Sequence, residues 1–170
     1  PIVLARRPAP IQVHYLGYPG TVAAGLVDYL IGDPFVTPPE HFDDYAEAIA
    51  VLPDSYQVND RMRPIGDTPP REALGLPAAG IVFASFNKTY KINPEVFDAW
   101  MAILRAVPDA VLWLLTRRDD HPAIANLRRE AQARDVDAAR LVFATHRPNP
   151  DYLALYRHAD LFLDTWPYNA

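Results

Sequence analysis

The chain has 170 residues, a length that suits one ordinary domain or parts of two, and half of its residues are apolar, enough for a substantial core. Its 16 basic and 21 acidic residues give a formal net charge of −5, which excludes a general attraction to nucleic acid or to an anionic membrane surface. The lack of cysteine excludes disulfides and thiolate metal sites, and no apolar run approaches the roughly 18 residues that a membrane span needs.

The first part of the chain predicts α/β structure with irregular spacing. Apolar segments occur at 10–20 and 27–33, and a helical pattern covers 39–53. A strand can also be placed around Tyr56 to Val58.

A change of composition then indicates a boundary. Residues 59–79 are rich in proline, glycine and charge, so we interpret them as a linker or a crossing between domains. The chain starts at Pro1 without a methionine and stops at Ala170, in a polar loop after an apolar run. We therefore expect it to be a segment of a larger protein.

The second part predicts four strands buried on both faces. Short runs rich in Val, Ile, Leu and Phe, without polar alternation, are typical of such strands. They lie at 80–86, 110–115, 140–145 and 159–165.

Helical patterns separate these strands. Each begins where a residue is followed by proline, because proline is tolerated at the first helical position and asparagine is a good N-cap. The three starts are Asn93-Pro94, His121-Pro122 and Asn149-Pro150. Alternating strands and helices predict right-handed βαβ units and a parallel sheet, so the fold class is α/β.

Two lysines, Lys88 and Lys91, follow the first of these strands and precede the helix at Pro94. Ligands of parallel sheets bind beyond the carboxyl ends of the strands, where helix N-termini favour anions. The two lysines are therefore candidates for holding a phosphate or diphosphate, although solvated loop charges explain them equally well. The sequence has neither a P-loop nor a dinucleotide fingerprint, so phosphate binding would depend on side chains.

The loop at 145–152 occupies the equivalent place after the third strand. His146, Arg147 and Tyr152 are candidates for contacting a base or ribose, with the aromatic ring as a flat apolar face. The alternative is a plain helix start with a packed tyrosine and a loop histidine. The five histidines are scattered without metal-ligand spacing, so no metal site is predicted.

The segment LGYPGT at 16–21 follows an apolar run. Its glycines would permit positive φ or close approach of a ligand to the backbone, but a simple turn explains them as well.

Four stretches carry a family resemblance. RPAPIQVHYLGYPGT (7–21), VDYLIGD (27–33), FNKTYKINPEVFDAWMAILRAVPDAVLWLL (86–115) and RLVFATHRPNPDYLALYRHADLFLDT (140–165) resemble, in this order, the catalytic region of the protein O-GlcNAc transferases. The resemblance implies a GT-B fold of two Rossmann-like lobes with tetratricopeptide repeats ahead of them. Residues 1–66 would then end the N-terminal lobe, and 67–170 would begin the nucleotide-binding C-terminal lobe.

The same resemblance implies the reaction and its partners. Such an enzyme transfers N-acetylglucosamine from UDP-GlcNAc to Ser or Thr hydroxyls of a protein or peptide acceptor. It does so with inversion and needs neither a metal nor a cofactor. We expect no nucleic-acid or membrane partner and, by default, a cytoplasmic location. The remainder of the catalytic region and the repeats would complete the enzyme.

The resemblance also assigns roles to individual residues. Lys91 matches the lysine that contacts the donor diphosphate, and it is the candidate catalytic residue. The candidate donor-nucleotide residues are Lys88, Tyr90, Leu115, His146, Arg147 and Tyr152, with the backbone at 147 reading uracil. On the sugar and acceptor side the candidates are Leu16, Gly17 and Pro19.

Some family features have no counterpart in the chain. The His-Thr-Thr loop that grips the phosphates would follow Ala170, and an upstream histidine would precede Pro1, so we expect the segment alone to be inactive. No general base is assigned. Two alternatives remain open, a SPINDLY-like protein O-fucosyltransferase that uses GDP-fucose and a noncatalytic nucleotide-binding or scaffold homologue.

Overall fold

The computed structural model describes residues 2–18, 20–23, 25–117 and 121–170. Two compact units divide the chain, Pro1–Met62 and Arg63–Ala170. None of the helices within the described ranges is long and apolar enough to cross a membrane.

The first unit is built on a three-stranded parallel sheet. Its strands are β1 (Val13–His14), β2 (Tyr29–Gly32) and β3 (Ala48–Val51), in the order β1-β2-β3. A short helix, α1 (Ile2–Ala5), precedes the sheet, and a 3-10 helix (Pro39–Asp44) leads into β3.

The helix predicted over 39–53 is wrong. Only Pro39–Asp44 is helical, as a 3-10 turn, and Ala48–Val51 forms β3 instead. All four residues of β3 pair with β2, so the ladder hydrogen bonds to β2 outweigh the local helical pattern.

The strand placed around Tyr56 to Val58 is also wrong. The backbone of Tyr56 bonds to side chains and not to a strand: its N–H donates to Asp33 Oδ2 at 2.8 Å, and its carbonyl accepts from Tyr15 Oη at 2.7 Å. Because the N–H and carbonyl of Tyr56 are already paired, this residue needs no neighbouring strand to satisfy its backbone hydrogen bonds.

The second unit is built on a four-stranded parallel sheet. Its strands are β4 (Val82–Ser85), β5 (Val111–Thr116), β6 (Leu141–Thr145) and β7 (Leu161–Phe162), in the order β6-β5-β4-β7. All four predicted strands are thus present, although β7 is much shorter than the apolar run that predicts it.

Helices α2 (Pro94–Ala106), α3 (His121–Gln132) and α4 (Asn149–Leu155) lie between these strands. The predicted cap at Asn93 is confirmed, since its side chain accepts a hydrogen bond from Val96 N at 2.9 Å. Asn149 is not a cap: it is already the first residue of α4, and Pro148 precedes the helix.

Two apolar clusters cover the two faces of this sheet. Leu112 and Leu114 of β5 pack with α2 on one face, while Trp113 and Leu115 pack in the other cluster. Consecutive residues of β5 are therefore buried on opposite sides, as predicted for a strand between two layers.

Most of the predicted linker, residues 63–79, belongs to the second unit. Leu74 and Leu76 are buried at 8% and 4% exposure within the cluster that contains Trp113. The guanidinium of Arg71 donates to the carbonyls of Pro77 and Gly80. Composition alone suggested a crossing segment because proline and charge dominate it, yet its two leucines are core residues.

Candidate functional site

The sheet of the second unit has a topological switch beside β4. From β4 the chain moves outward to β5 and β6, and it then returns to the other side of β4 as β7. In open parallel sheets, ligands bind beyond the carboxyl ends of the strands at such a switch point. The loops at 86–93 and 163–170, which follow β4 and β7, therefore belong to the candidate site.

A cavity of about 590 Å³ lies at the carboxyl ends of β4, β5 and β6. This volume is within the range of small-molecule sites. Four residues predicted to bind the donor nucleotide line it: Lys88, Tyr90, Leu115 and His146.

Four further residues of the cavity wall are not singled out by the sequence analysis: Asn87, Thr89, Thr116 and Arg117. They share one signal that could have found them, since each is polar or charged and lies within the first residues after β4 or at the end of β5. Thr116 is buried at 3% exposure. Its Oγ1 donates a hydrogen bond to the carbonyl of Ala144 in β6 at 3.4 Å.

The loop after β4 presents its two lysines differently. A 3-10 turn, Thr89–Lys91, separates them. Lys88 is exposed, and its ammonium lies 5.9 Å from the ring centroid of Tyr90, itself 78% exposed. Both side chains are therefore open to a ligand in the cavity.

Lys91 is only partly exposed and is held by the loop after β7. Its ammonium donates to the carbonyl of Asn169 at 2.7 Å and approaches Oδ1 of Asn87 at 3.5 Å. The cavity wall does not include Lys91. The ammonium instead lies on the β7 side of β4, at the topological switch.

Asp164, at the end of the segment containing β7, is the acceptor that organises this loop. Its carboxylate accepts hydrogen bonds from Asn87 Nδ2 at 2.9 Å and from the backbone N–H of Thr165 at 2.7 Å and Ala170 at 2.9 Å. Burial by itself would raise the pKa of this carboxyl, but these hydrogen bonds outweigh burial and lower the pKa below its usual value. The group is therefore an anion at neutral pH. Sequence reasoning missed it because its partner Asn87 is 77 residues away.

On the other side of the cavity, His146 and Arg147 are both exposed. Tyr152, which follows them on α4, contacts aromatic rings: its centroid is 5.8 Å from that of Phe86 and 5.4 Å from that of Tyr156. Its hydroxyl is 2.8 Å from that of Tyr156. Burial and this hydrogen bond raise the pKa of Tyr156, so the hydroxyl of Tyr156 stays protonated at neutral pH.

The predicted sugar-side residues belong to the first unit. Leu16 has a φ of 56°, so the left-handed residue of this turn is a leucine. From the sequence, one of the neighbouring glycines is the candidate for this conformation. The turn is closed by the backbone N–H of Tyr18, which donates to His14 Nε2 at 3.1 Å. A Cβ on Gly17 would lie 3.4 Å from the same nitrogen, at van der Waals contact with it. Pro19 lies outside the described residues.

Within the described ranges, no three His, Asp or Glu side chains come together as a potential metal site.

Known proteins of one family match nearly the whole length of the chain. The family model described as glycosyl transferase family 41 matches residues 2–66 and 67–170. The probable UDP-N-acetylglucosamine–peptide N-acetylglucosaminyltransferase SEC of Arabidopsis thaliana is 37% identical over 171 residues, which cover 96% of this chain and 17% of that protein. A SPINDLY protein of Petunia hybrida, which carries the same activity name, is 33% identical over 98% of this chain and 18% of its own length.

One solved structure is similar in both sequence and fold. A mutant of the O-GlcNAc transferase of Thermobaculum terrenum superposes with a TM-score of 0.82 at 34% identity. The match covers 98% of this chain and 31% of that one. The chain thus spans less than a third of each of these relatives.

Proposed function

The chain belongs to glycosyl transferase family 41, and from this premise we propose that it serves in transferring N-acetylglucosamine from UDP-GlcNAc to Ser or Thr hydroxyls of proteins. The predicted family and the GT-B type of α/β fold are confirmed by the family match and by the superposed O-GlcNAc transferase. The donor, the acceptor and the stereochemistry are the proposal.

One observation carries the proposal most directly. Lys91 is held at the topological switch of a nucleotide-binding type of sheet, beside a cavity large enough for a sugar nucleotide. The exposed ammonium of Lys88 is on the cavity wall three residues earlier. Two cations so placed suit a diphosphate, although the net charge of the chain is −5.

The chemistry we assign to Lys91 follows from the charge that develops during transfer. The oxygen of the acceptor hydroxyl attacks C1 of the sugar and releases its proton to a base that is not assigned among these residues, and the bond from C1 to the β-phosphate oxygen breaks with its electron pair remaining on that oxygen. A fixed ammonium stabilises this growing negative charge more than it stabilises the intact donor, so it lowers the barrier. Attack opposite the leaving UDP inverts the configuration at C1, and with Lys91 in this role the reaction would need no metal ion.

The remaining candidates divide between the two ends of the donor. We assign the uridine to the side of the cavity lined by Leu115 and His146, with the backbone of Arg147 reading the uracil. Tyr152 does not line the cavity, and its contacts with Phe86 and Tyr156 would make it a rigid aromatic neighbour of the base and not a mobile lid. Leu16, Gly17 and Pro19 remain the candidates for the sugar and acceptor side.

A second candidate function is protein O-fucosylation from GDP-fucose, on the SPINDLY-like branch. SPINDLY relatives at 31–33% identity match nearly the whole chain, but the activity in their names is N-acetylglucosaminyl transfer, so this candidate rests on the sequence resemblance to that branch. Calorimetric titration of the full-length protein with UDP-GlcNAc and with GDP-fucose separates the two, since the base and the sugar both differ. Binding of neither donor would favour the noncatalytic homologue.

The test of the proposed role is the substitution Lys91→Met in the full-length protein. The methionine keeps most of the apolar stem and removes the charge, so we expect the fold to persist and kcat to fall by about 10²- to 10³-fold, the usual loss for one charge-stabilising donor. The measurement is transfer of labelled sugar to a peptide, together with a thermal unfolding curve.

The matched control is Arg105→Met, which removes a cation at the far end of α2 that bonds to the carbonyl of Arg134. This variant should retain wild-type kcat. Full activity of the Lys91 variant would refute the assignment.

A further inference from the structure

We propose that Asp164 is the positioning residue for Lys91, holding its ammonium at the place where the donor phosphate departs. This inference rests on the proposed function for the meaning of Lys91, but the contacts that carry it are independent of any reaction. Asp164 does not itself line the cavity, and it contacts Asn87 of the cavity wall at 2.9 Å. It acts through the loop at 164–170 and through Asn87.

The first step is that Asp164 closes its own loop. Oδ1 accepts from the backbone N–H of Thr165 at 2.7 Å and of Ala170 at 2.9 Å, and Oδ2 accepts from Ala170 at 3.2 Å. One carboxylate thus bonds to two backbone N–H groups that lie five residues apart in the chain. A neutral side chain at this position would remove the charged partner of both N–H groups, and an apolar one would remove their side-chain acceptor as well.

The second step is that the rest of the loop is rigid once it is closed. The side chain of Thr165, 1% exposed, donates to the carbonyl of Tyr168 at 2.7 Å. The amide of Asn169 donates to the carbonyl of Thr165 at 3.0 Å. From the opposite loop, Asn93 Nδ2 donates to the carbonyl of Trp166 at 2.7 Å. The carbonyl of Asn169 therefore has a fixed direction.

The third step connects this loop to the lysine. The two oxygens near the ammonium of Lys91 are the carbonyl of Asn169 at 2.7 Å and Oδ1 of Asn87 at 3.5 Å. Asn169 is fixed by the closed loop, and Asn87 is oriented because its Nδ2 donates to Asp164 at 2.9 Å. Both acceptors of Lys91 therefore depend on one carboxylate.

Holding a lysine in this way matters for catalysis. A lysine stem has four rotatable carbons, and a free ammonium would spend most of its time away from the position where charge develops. A misplacement of about 1 Å at a reacting centre can cost about 100-fold in rate.

The test uses three variants of the full-length protein: Asp164→Ala, Asp164→Asn and Asp160→Ala. Asp160 is the matched control. It is an aspartate at the opposite end of β7 and anchors the sheet by accepting from the backbone N–H of Val82 at 2.8 Å. Its loss should lower stability without reaching Lys91.

The activity-independent measurement is the labelling rate of each lysine by an amine reagent, read by mass spectrometry of peptides. Lys88, exposed and three residues from Lys91, serves as the internal reference. Asp164→Ala should raise the labelling of Lys91 relative to Lys88 by about 10-fold, the factor expected when a charge-assisted hydrogen bond is lost. Asp164→Asn, which retains an acceptor oxygen, should give an intermediate value, and Asp160→Ala should match the wild type.

The kinetic measurement separates positioning from general damage. Asp164→Ala should lower kcat by about 10- to 100-fold while the KM for the donor stays within about 3-fold, because the ammonium acts in the transition state more than in ground-state binding. Asp164→Asn should recover part of kcat, and Asp160→Ala should leave kcat unchanged.

Three results would overturn the inference: unchanged labelling of Lys91 in Asp164→Ala, equal gains at Lys88 and Lys91, or a labelling change with unchanged kcat. If the wild type transfers no sugar from either donor, the proposed function fails. The labelling ratio then still decides whether Asp164 holds Lys91.

Discussion

Asn93 connects two parts of the candidate site through the two atoms of one amide. Its Oδ1 accepts from Val96 N and caps α2, and its Nδ2 donates to the carbonyl of Trp166 in the loop that holds Lys91. The sequence predicts the cap, because asparagine followed by proline is a local signal. The bond to Trp166 spans 73 residues and has no local signal.

This double role leads to a prediction for stability. Asn93→Ala should lower the free energy of unfolding by about 1–3 kcal/mol, the sum of a lost helix cap and one lost hydrogen bond. Asn93→Asp retains the capping oxygen but has no donor for Trp166, so it should lose less. Urea unfolding of the full-length protein measures both, and an Asn93→Ala variant within about 0.3 kcal/mol of wild type would contradict the assigned cap.

At the scale of elements, β5 is one of two interior strands of the second sheet and pairs with β4 on one side and β6 on the other. All six of its residues are buried. By contrast, β7 has two residues and pairs with β4 alone. Burial on both faces made β5 predictable from its continuous apolar run, whereas the same kind of run at 159–165 predicted a longer strand than is present. Asp164 and Thr165 bond within their loop and thus end the ladder early.

The contrast between these strands predicts different costs for the same change. Leu112→Ala in β5, where the side chain is fully buried, should lower the free energy of unfolding by about 2–5 kcal/mol. Leu161→Ala in β7, at 55% exposure, should change it by less than about 1 kcal/mol. Chemical denaturation tests both, and similar losses of unfolding free energy in the two variants would contradict the difference in burial between Leu112 and Leu161.

The strand that sequence reasoning missed is β3. Its residues, Ala48–Val51, continue an amphipathic pattern from Pro39, and alanine favours helix in isolation. The strand forms because β2 offers a full set of ladder partners beside it. Glu47, at the entrance to β3, also bonds to the backbone N–H of Val22 at 2.7 Å, which anchors the strand to a distant loop.

At the scale of the whole molecule, the carboxylates whose pKa departs clearly from its ordinary value all depart in the same direction. The pKa is lowered for Asp28, Asp33 and Glu47 in the first unit, and for Glu130 and Asp164 in the second. For Glu47, burial acts to raise the pKa, and hydrogen bonds from Val22 and Thr21 outweigh it. In each case the folded protein binds the proton more weakly than the unfolded chain does.

These lowered pKa values make the free energy of unfolding depend on pH. A lowered folded pKa contributes stability that is present above the ordinary values, 3.8 for aspartate and 4.5 for glutamate, and is lost as the pH falls through the folded pKa. The free energy of unfolding should therefore decline steadily below about pH 4.5. Glu47→Gln should flatten this decline, and Glu40→Gln, at an exposed position, should not. Urea titrations from pH 7 to pH 3 measure the slopes, and parallel curves for Glu47→Gln and wild type would refute the role of Glu47.

By itself, the sequence determined the strands and helices of the second unit, the cap at Asn93, the family and the α/β fold class. These features depend on short-range periodicity, on residue pairs such as Asn-Pro, or on long contiguous stretches that resemble one family. The tertiary structure alone decided the strand order β6-β5-β4-β7, the strand at β3 and the partners of Lys91. The physical reason is that ladder bonds and side-chain acceptors are supplied by residues far along the chain, such as Asn169, 78 positions after Lys91. Local periodicity contains no information about which distant groups the fold brings together.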